Sequence, residues 1–346
     1  VLLPLPGPLV DAFRERNVPC EVVRYPIVRR RTARPWEAIV YVLRLITSTF
    51  RLWRHVRQRG IDVVYSNSLG VVQGALLHLL GRRKHIWHIH DMIDRPRAVN
   101  HLYSWLVARG ADIAICVSQA AHDHLPIRKG NLRVVWNGVP PIVATPEFGQ
   151  SSAHTTVGVV GRFNGLKGHA DMVKAAAVLR KAGVDLGVRL VGDSYRGDDR
   201  ERNAVRRLIR ELGMTDGISV ENSVTDVATV YRELDLVVIP SVLLDSFPTV
   251  GIEAMSAGKP VVGYASGGLP EMLDNDSDCL AAVGDYRALA DLIRRFVEEE
   301  QFRLDKAHAQ HARYLENFTE AHYRRRIRNA LQELLSTSPV SAGERP

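Results

Sequence analysis

The sequence predicts an α/β protein made of two doubly wound parallel-sheet domains with a ligand cleft between them. Three observations predict it. The chain has 346 residues, 46% hydrophobic and 24% charged, enough for two cores at about 150 residues per domain. Short Val- and Ile-rich runs alternate with longer amphipathic segments, the order of βα units in a parallel sheet. The alternation is interrupted once, at residues 139–156 (VPPIVATPEFGQSSAHTT), by a Pro-, Ser- and Thr-rich stretch that reads as a linker.

In the first half, strands are expected at 21–24, 62–66, 85–90 and 112–117, with helices at 9–16, 36–59, 70–80 and 98–109. The strands are short and do not alternate, as in sheets covered on both faces. In the second half, strands are expected at 156–160, 188–191, 218–220, 236–239 and 260–264. Helices are expected at 169–181, 199–212, 227–233, 248–257, 286–300 and 320–335. The domain reading is 1–148 and 149–318, then a helix at 319–335 packing back on the first domain, then a disordered tail at 336–346. Ligands of such sheets bind beyond the carboxyl ends of the strands.

Charge divides the halves. Residues 1–150 hold 21 basic and 10 acidic side chains, a balance of +11; residues 151–346 hold 25 and 28, a balance of −3. Between Arg24 and Arg59 lie ten arginines and one acid, Glu37. No stacking-aromatic and basic motif accompanies them, so no nucleic acid is expected. Three cysteines lie far apart without a C-x-x-C, which disfavours a zinc ribbon or disulfide framework and fits a reducing compartment. No apolar run reaches the ~18–20 residues of a membrane span, and the start shows no secretory signal pattern. The expected location is cytoplasmic, with a peripheral position on the inner face of the plasma membrane.

Two stretches carry the chemistry. Residues 240–260 (PSVLLDSFPTVGIEAMSAGKP) follow an apolar strand, and a helix is expected to start at Phe247 or Pro248 and stop at Gly258. The N–H groups of its first turn, around Phe247, Thr249 and Val250, form an anion site suited to phosphate. Asp245 and Glu253 flank that turn, and two carboxylates beside a phosphate site suit a polyol. Residues 157–169 (VGVVGRFNGLKGH) run from a strand into a glycine turn at Gly161, then Arg162 and Lys167, then a helix. A guanidinium fork and a point charge in one short loop suit a diphosphate. The loop matches neither the P-loop nor the dinucleotide fingerprint. Residues 263–271 (GYASGGLPE) add paired glycines and read as a capped turn. In the first half, IWHIHDM sets His88, His90 and Asp91 at a strand end. His90 is a candidate for substrate contact or proton transfer. His88 and His90 are expected to diverge, so no metal site is expected.

With these motifs in place, the chain resembles the retaining glycosyltransferases of family 4, over about residues 1–335. GRFNGLKGH resembles their donor-diphosphate loop. DSFPTVGIE resembles their E-x7-E element, with Asp245 at the first acidic position, and EAMSAGKPVVGYASGGLPE matches the family's next segment. VYSNSLGVVQGALLHLLGRRKHIWHIHD and ADIAICVSQAAHDHL…VVWNGV match their N-terminal half. The resemblance implies the GT-B fold of two Rossmann-like domains. It implies that Arg162 and Lys167 bind the nucleotide diphosphate and stabilise it as it leaves, and that Asp245 contacts the donor sugar. It places Gly161, Phe247, Pro248, Thr249 and Val250 around sugar and diphosphate, Glu253 on the ribose, Asn222 and Val224 beside the base, and His90 near the transferring sugar. It implies a nucleotide-diphosphate sugar as donor, UDP or GDP foremost, no cofactor, no metal, and transfer to a cell-envelope or exopolysaccharide intermediate, including a lipid-linked one. The start, PGPLVDAF…NVPCEVV, resembles the end of the family's second strand, which implies that the first strand and its glycine-rich loop are missing. Two alternatives stay open: a non-catalytic sugar-nucleotide-binding relative and a sugar-nucleotide epimerase.

From Trp36 on, Trp36, Ile39, Leu43, Ile46, Phe50 and Trp53 recur at three- or four-residue steps and share one helical face; Arg44 and Arg51 share another. One reading is a core-facing helix with a solvated arginine surface. A second is an anionic membrane surface as partner, met by the arginines from Arg29 to Arg59, and a third is an anionic soluble acceptor or a protein partner.

Overall fold

The computed structural model describes residues 1–27, 35–81, 83–93, 96–127, 130–146, 148, 155–194 and 197–336. The arginines at 29, 30, 31 and 34, the linker positions 147 and 149–154, and the tail from 337 lie outside the described residues. The chain divides into two compact units. Unit 1 comprises Val1–Cys116, His122–Val134 and Ala330–Pro346; unit 2 comprises Val117–Ala121 and Val135–Asn329.

Unit 1 contains, in order, β1 (Leu2–Leu3), α1 (Pro8–Glu15), β2 (Glu21–Val22), α2 (Pro35–Gln58), β3 (Val63–Ser66), α3 (Gln73–Gly81), β4 (Lys84–Ile89), α4 (Arg97–Gly110) and β5 (Ile113–Cys116). Then come α5 (Gln119–Asp123), whose first residues belong to unit 2, and β6 (Leu132–Val134). Strands β3-β4-β5-β6 form a parallel sheet and β1-β2 a separate parallel pair. All four side chains of β5 are buried, as both-face coverage requires. Inside this sheet, His85 Nδ1–H donates to the Gly110 carbonyl at 2.5 Å and Nε2 accepts from Ser66 Oγ at 2.9 Å. The ring is fully buried, and burial pulls its pKa down to about 4, so it is held as one neutral tautomer.

Unit 2 contains β7 (Thr155–Val160), α6 (His169–Lys181), β8 (Leu186–Val191), α7 (Arg200–Glu211), β9 (Ile218–Glu221), α8 (Val227–Arg232), β10 (Leu236–Ile239), α9 (Thr249–Ser256), β11 (Val261–Tyr264), α10 (Leu269–Met272), β12 (Leu280–Ala281), α11 (Tyr286–Glu298) and α12 (Glu300–Asn317). The last helix, α13 (Glu320–Ser336), begins in unit 2 and ends in unit 1. There Lys84 Nζ donates to the Leu334 carbonyl at 2.5 Å, and Arg133 pairs with Glu333. The unit 2 sheet is parallel throughout, in the order β12-β11-β10-β7-β8-β9. The chain steps outward one way from β7 to β9 and the other way from β10 to β12. The strand order therefore reverses between β7 and β10, and such a switch point opens a crevice at the carboxyl ends of the two strands.

Each strand expected from sequence is present, its ends within two residues. Elements absent from that reading are short edge strands (β1, β6, β12), short helices (α5, α10) and α12. The buried positions of α12 are Arg303, Ala307, Gln310 and Tyr314, so its inward face carries polar side chains and its hydrophobic pattern is weak. Those polar groups are satisfied: Gln310 holds both backbone groups of Val261, at 2.7 and 3.0 Å, and Arg303 donates to the Phe296 carbonyl at 2.7 Å. Residues 135–148, which the sequence reading grouped with the first half, cluster with unit 2. Val139 pairs with Thr319, and Ile142 N–H donates to Ser256 Oγ at 3.2 Å.

Helix α2 overturns the core-facing reading. Among its described residues the buried side chains are Ser48, Thr49, Leu52 and Val56, whereas Trp36, Ile39, Leu43, Ile46 and Phe50 are all more than half exposed; of the expected row, Trp53 alone packs on the core, against the cluster of Leu52, Val56 and Leu77. At 3.6 residues per turn, the apolar row that sequence periodicity assigned to a core lies about half a turn away from the face that packs.

Candidate functional site

Unit 2 gathers most of the sequence-derived candidates at the β7/β10 switch point. After β7 the chain turns at Gly161 and presents Arg162 as an exposed side chain. The loop then crosses to its neighbour: Val242 N–H, just past β10, donates to the Leu166 carbonyl at 3.0 Å. Gly168 caps α6 at φ +70°, and a Cβ there would overlap the Pro240 carbonyl. Only glycine fits both the left-handed backbone and the close approach. This crossing brings the Lys167 ammonium against the Asp245 carboxylate as an ion pair. The loop after β11 holds Asp245 from the other side. Gly268 N–H donates to the Asp245 carbonyl at 2.9 Å, Ser266 Oγ donates to the Leu243 carbonyl at 3.1 Å, and Gly267, at φ +57°, lies against the Asp245 backbone.

Helix α9 starts slightly later than the sequence suggests. Pro248 is extended, at φ −69° and ψ 106°, and serves as N-cap, so the helix begins at Thr249. Phe247 turns into the core, edge-on to Phe318 at 5.6 Å. The first-turn N–H groups of Thr249 and Val250 have no acceptor within the helix and mark its positive end. One turn in, Glu253 Oε2 accepts from the Tyr231 hydroxyl at 2.7 Å. Tyr231 is fully buried, and burial next to Glu253 drives its pKa well above the phenol range. It is therefore a permanent donor. Sequence reading missed Tyr231, which stands in an apolar helix 22 residues from Glu253 with no motif around it.

Asn222 and Val224 lie exposed beyond β9. The residue between them, Ser223, donates to the Asp193 carboxylate through both its N–H (3.0 Å) and its hydroxyl. Those bonds, the hydroxyl's first, hold the Asp193 carboxyl below its usual range. Phe163 N–H donates to the Asp193 carbonyl at 3.0 Å, so the loops after β7, β8 and β9 form one chain of contacts. Behind them, His169 stacks on Phe163 at 4.1 Å and Arg202 lies 5.2 Å from the same ring. Burial pulls His169 down to about 4, so it is a neutral packing group. Glu271, in the paired-glycine stretch, accepts from Gln119 N–H at 2.7 Å and from the Trp136 indole, and so caps the start of α5 rather than facing the site.

His90 belongs to unit 1, at the end of β4. Its Nε2–H donates to Asn67 Oδ1 at 2.9 Å, and burial lowers its pKa. The expected divergence of His88 and His90 is wrong. Residues two apart on a strand share a face, and the two rings lie 4.0 Å apart, with His88 also bonded to the Tyr65 hydroxyl at 2.7 Å. Burial, and secondarily the His90 charge, draws His88 down to about 3. Among the described residues, no group of three or more His, Cys, Asp or Glu converges as metal ligands would.

Comparison with known proteins assigns the chain to a family. The model for Glycosyl transferases group 1 matches residues 146–314, and the model for Glycosyltransferase Family 4 matches residues 8–142. The chain belongs to the family 4 glycosyltransferases. A D-inositol 3-phosphate glycosyltransferase of Mycolicibacterium smegmatis is 34% identical over 198 residues, covering 53% of this chain and 44% of that protein. A protein of the same name from Mycobacterium bovis is 36% identical over 186 residues, 49% of this chain and 37% of that one. The matches thus span less than half the length of these relatives. Among solved structures, Anabaena HepE in complex with UDP and glucose superimposes with a TM-score of 0.79 at 22% identity, over 96% of this chain and 91% of that one. An apo lipopolysaccharide outer core galactosyltransferase, WaaB, gives 0.71 at 15% identity, over 92% and 85%. The fold is the GT-B fold, two parallel-sheet Rossmann-like domains.

Proposed function

We propose that the protein is a retaining, metal-independent glycosyltransferase that moves a sugar from a nucleotide-diphosphate sugar to an acceptor. The observation that carries this reading is the Lys167–Asp245 pair at the switch point, beside the first turn of α9. The donor's diphosphate takes Lys167, with Arg162 as a second cation and the Thr249 and Val250 N–H groups as preorganised donors. Losing Lys167 releases Asp245 to accept from the sugar hydroxyls. Glu253, oriented by Tyr231, holds the ribose through its remaining oxygen, and the loop at Asn222 and Val224 borders the base. As the glycosidic bond breaks, negative charge grows on the leaving diphosphate, and these groups stabilise it without reorganising. The phosphate so held is the base that takes the acceptor's proton, with attack on the same face and no enzymic nucleophile. His90 would stand on the acceptor side.

UDP is the nucleotide we favour, supported by the UDP complexes of the structurally similar HepE. The acceptor we favour is a lipid-linked cell-envelope or exopolysaccharide intermediate, reached at the inner face of the plasma membrane. Its support is the +11 balance of the first half. No helix among the described residues is long and apolar enough to cross a membrane. The test is nucleotide release from a panel of UDP-, GDP-, ADP- and dTDP-sugars, with Arg162→Ala and Lys167→Ala alongside. One donor should be turned over by the parent chain and not by either variant. Full turnover in both variants would remove the diphosphate role.

A further inference from the structure

Helix α2 presents an unusual outer surface. Trp36, Ile39, Leu43, Ile46 and Phe50 are 70, 63, 59, 61 and 62% exposed. Their spacing of three and four places them in one row, 14 residue steps from Trp36 to Phe50 or about 21 Å long. Val42, half exposed, widens it. Large aromatics close both ends: Trp36 at one, and Phe50 stacked on Trp53 at 5.8 Å at the other. Arg44, Arg51 and Arg54 are exposed along the flank of the row, and Arg57 lies over the Trp53 ring at 5.5 Å. From 38 to 58 the sequence contains no acid.

An apolar row this long needs an occupant, because monomeric surfaces rarely leave a contiguous patch of large side chains in water. Charge selects the occupant. A second copy of the same face would set arginine rows against each other with a single acid in the whole helix, Glu37, to offset them. An anionic bilayer answers both halves of the surface, with acyl chains for the row, phosphates for the guanidinium groups and the interfacial zone for the terminal aromatics.

We propose that α2 lies flat in the surface of an anionic bilayer, with Trp36, Ile39, Leu43, Ile46 and Phe50 among the acyl chains and Arg44, Arg51 and Arg54 on the lipid phosphates. This rests on the lipid-linked acceptor reading above and supplies the surface that reading requires. Polybasic attraction alone would be erased by salt; apolar insertion makes part of the binding salt-resistant.

The test is flotation of the whole chain with phosphatidylcholine vesicles, with and without 30% phosphatidylglycerol, at low and high salt. The parent chain should float with the anionic vesicles, partly survive high salt, and stay behind with pure phosphatidylcholine. A Leu43→Glu/Ile46→Glu variant changes only exposed side chains, so its thermal unfolding should match the parent, and its vesicle affinity should fall at least tenfold. An Arg44→Ala/Arg51→Ala/Arg54→Ala variant should lose the preference for anionic lipid. The proposal is overturned if the parent does not float, if the glutamate variant floats as well as the parent, or if that variant turns a dimer into a monomer in size-exclusion chromatography. Transfer to a detergent-dispersed lipid-linked acceptor is measured separately. Transfer without flotation would sink the surface and keep the acceptor; flotation without transfer would do the reverse.

Discussion

Replacing Tyr231 by Phe removes one oxygen from a fully buried ring and leaves the ring's packing intact. The change deletes the 2.7 Å hydrogen bond to Glu253 Oε2. A hydrogen bond to a charged group contributes about 1.5–3 kcal/mol, and each 1.4 kcal/mol is about a tenfold change in binding. Full transfer of that energy to donor binding would raise KM by roughly 10- to 100-fold. The carboxylate keeps its place one turn into α9, so the lower end is expected: KM for the nucleotide sugar up about tenfold, kcat within a factor of about three, because the ribose is remote from the reacting carbon. A donor lacking a ribose hydroxyl separates orientation from packing. The parent enzyme should discriminate strongly against it, and Tyr231→Phe much less. A variant with unchanged KM and undiminished discrimination would show that Tyr231 does not orient Glu253.

The same geometry sets further outcomes. Asp245→Asn should lower kcat by about 100-fold while leaving calorimetric nucleotide affinity equal or tighter, since Lys167 loses its competing partner; a tenfold loss of affinity would contradict the exchange. Gly267→Ala forces a Cβ into the left-handed region, worth about 1–2 kcal/mol, and onto the Asp245 carbonyl. Its melting temperature should fall by several degrees and its activity more steeply; a parent-like melt and rate would refute the contact. Turnover should survive EDTA, and its loss with recovery on adding a divalent ion would overturn the metal-free reading. Folded-state pKa values of about 4 for His85 and His169 lie below the unfolded value of about 6.5, so the unfolded chain binds protons first. Their stabilisation is complete above pH 6.5 and declines as pH falls toward 4, by about 2 kcal/mol each at pH 5. Denaturant midpoints at pH 7.5 and 5 would check this, and equal midpoints would count against it.

The fold was legible because parallel strands covered on both faces must be short apolar runs, and because Gly161 and Pro240 directly follow β7 and β10 and the Gly267–Gly268 pair lies in the loop after β11. The chemistry was legible where it is local. Arg162 and Lys167 share one loop, and Asp245 and Glu253 flank one helix start. Tyr231 was not legible, since a buried tyrosine reads as one more apolar residue until its hydroxyl is seen to have a target. His88 and His90 share a face because a strand's side chains repeat every two residues, and α12 shows no clear apolar stripe because Arg303 and Gln310 share its buried face with Ala307 and Tyr314.

Sequence alone determined which residues carry charge, which runs form strands, and that two chemical motifs lie just past two strands' carboxyl ends. Tertiary structure decided that those two strands are neighbours at the point where strand order reverses, which turns separate loops into one ion-paired site. It also decided the fate of α2. Periodicity establishes that Trp36, Ile39, Leu43, Ile46 and Phe50 share a face, but a helix has more than one face to offer. Only packing shows that the body of unit 1 takes the Ser48–Leu52–Val56 side and leaves the apolar row outward.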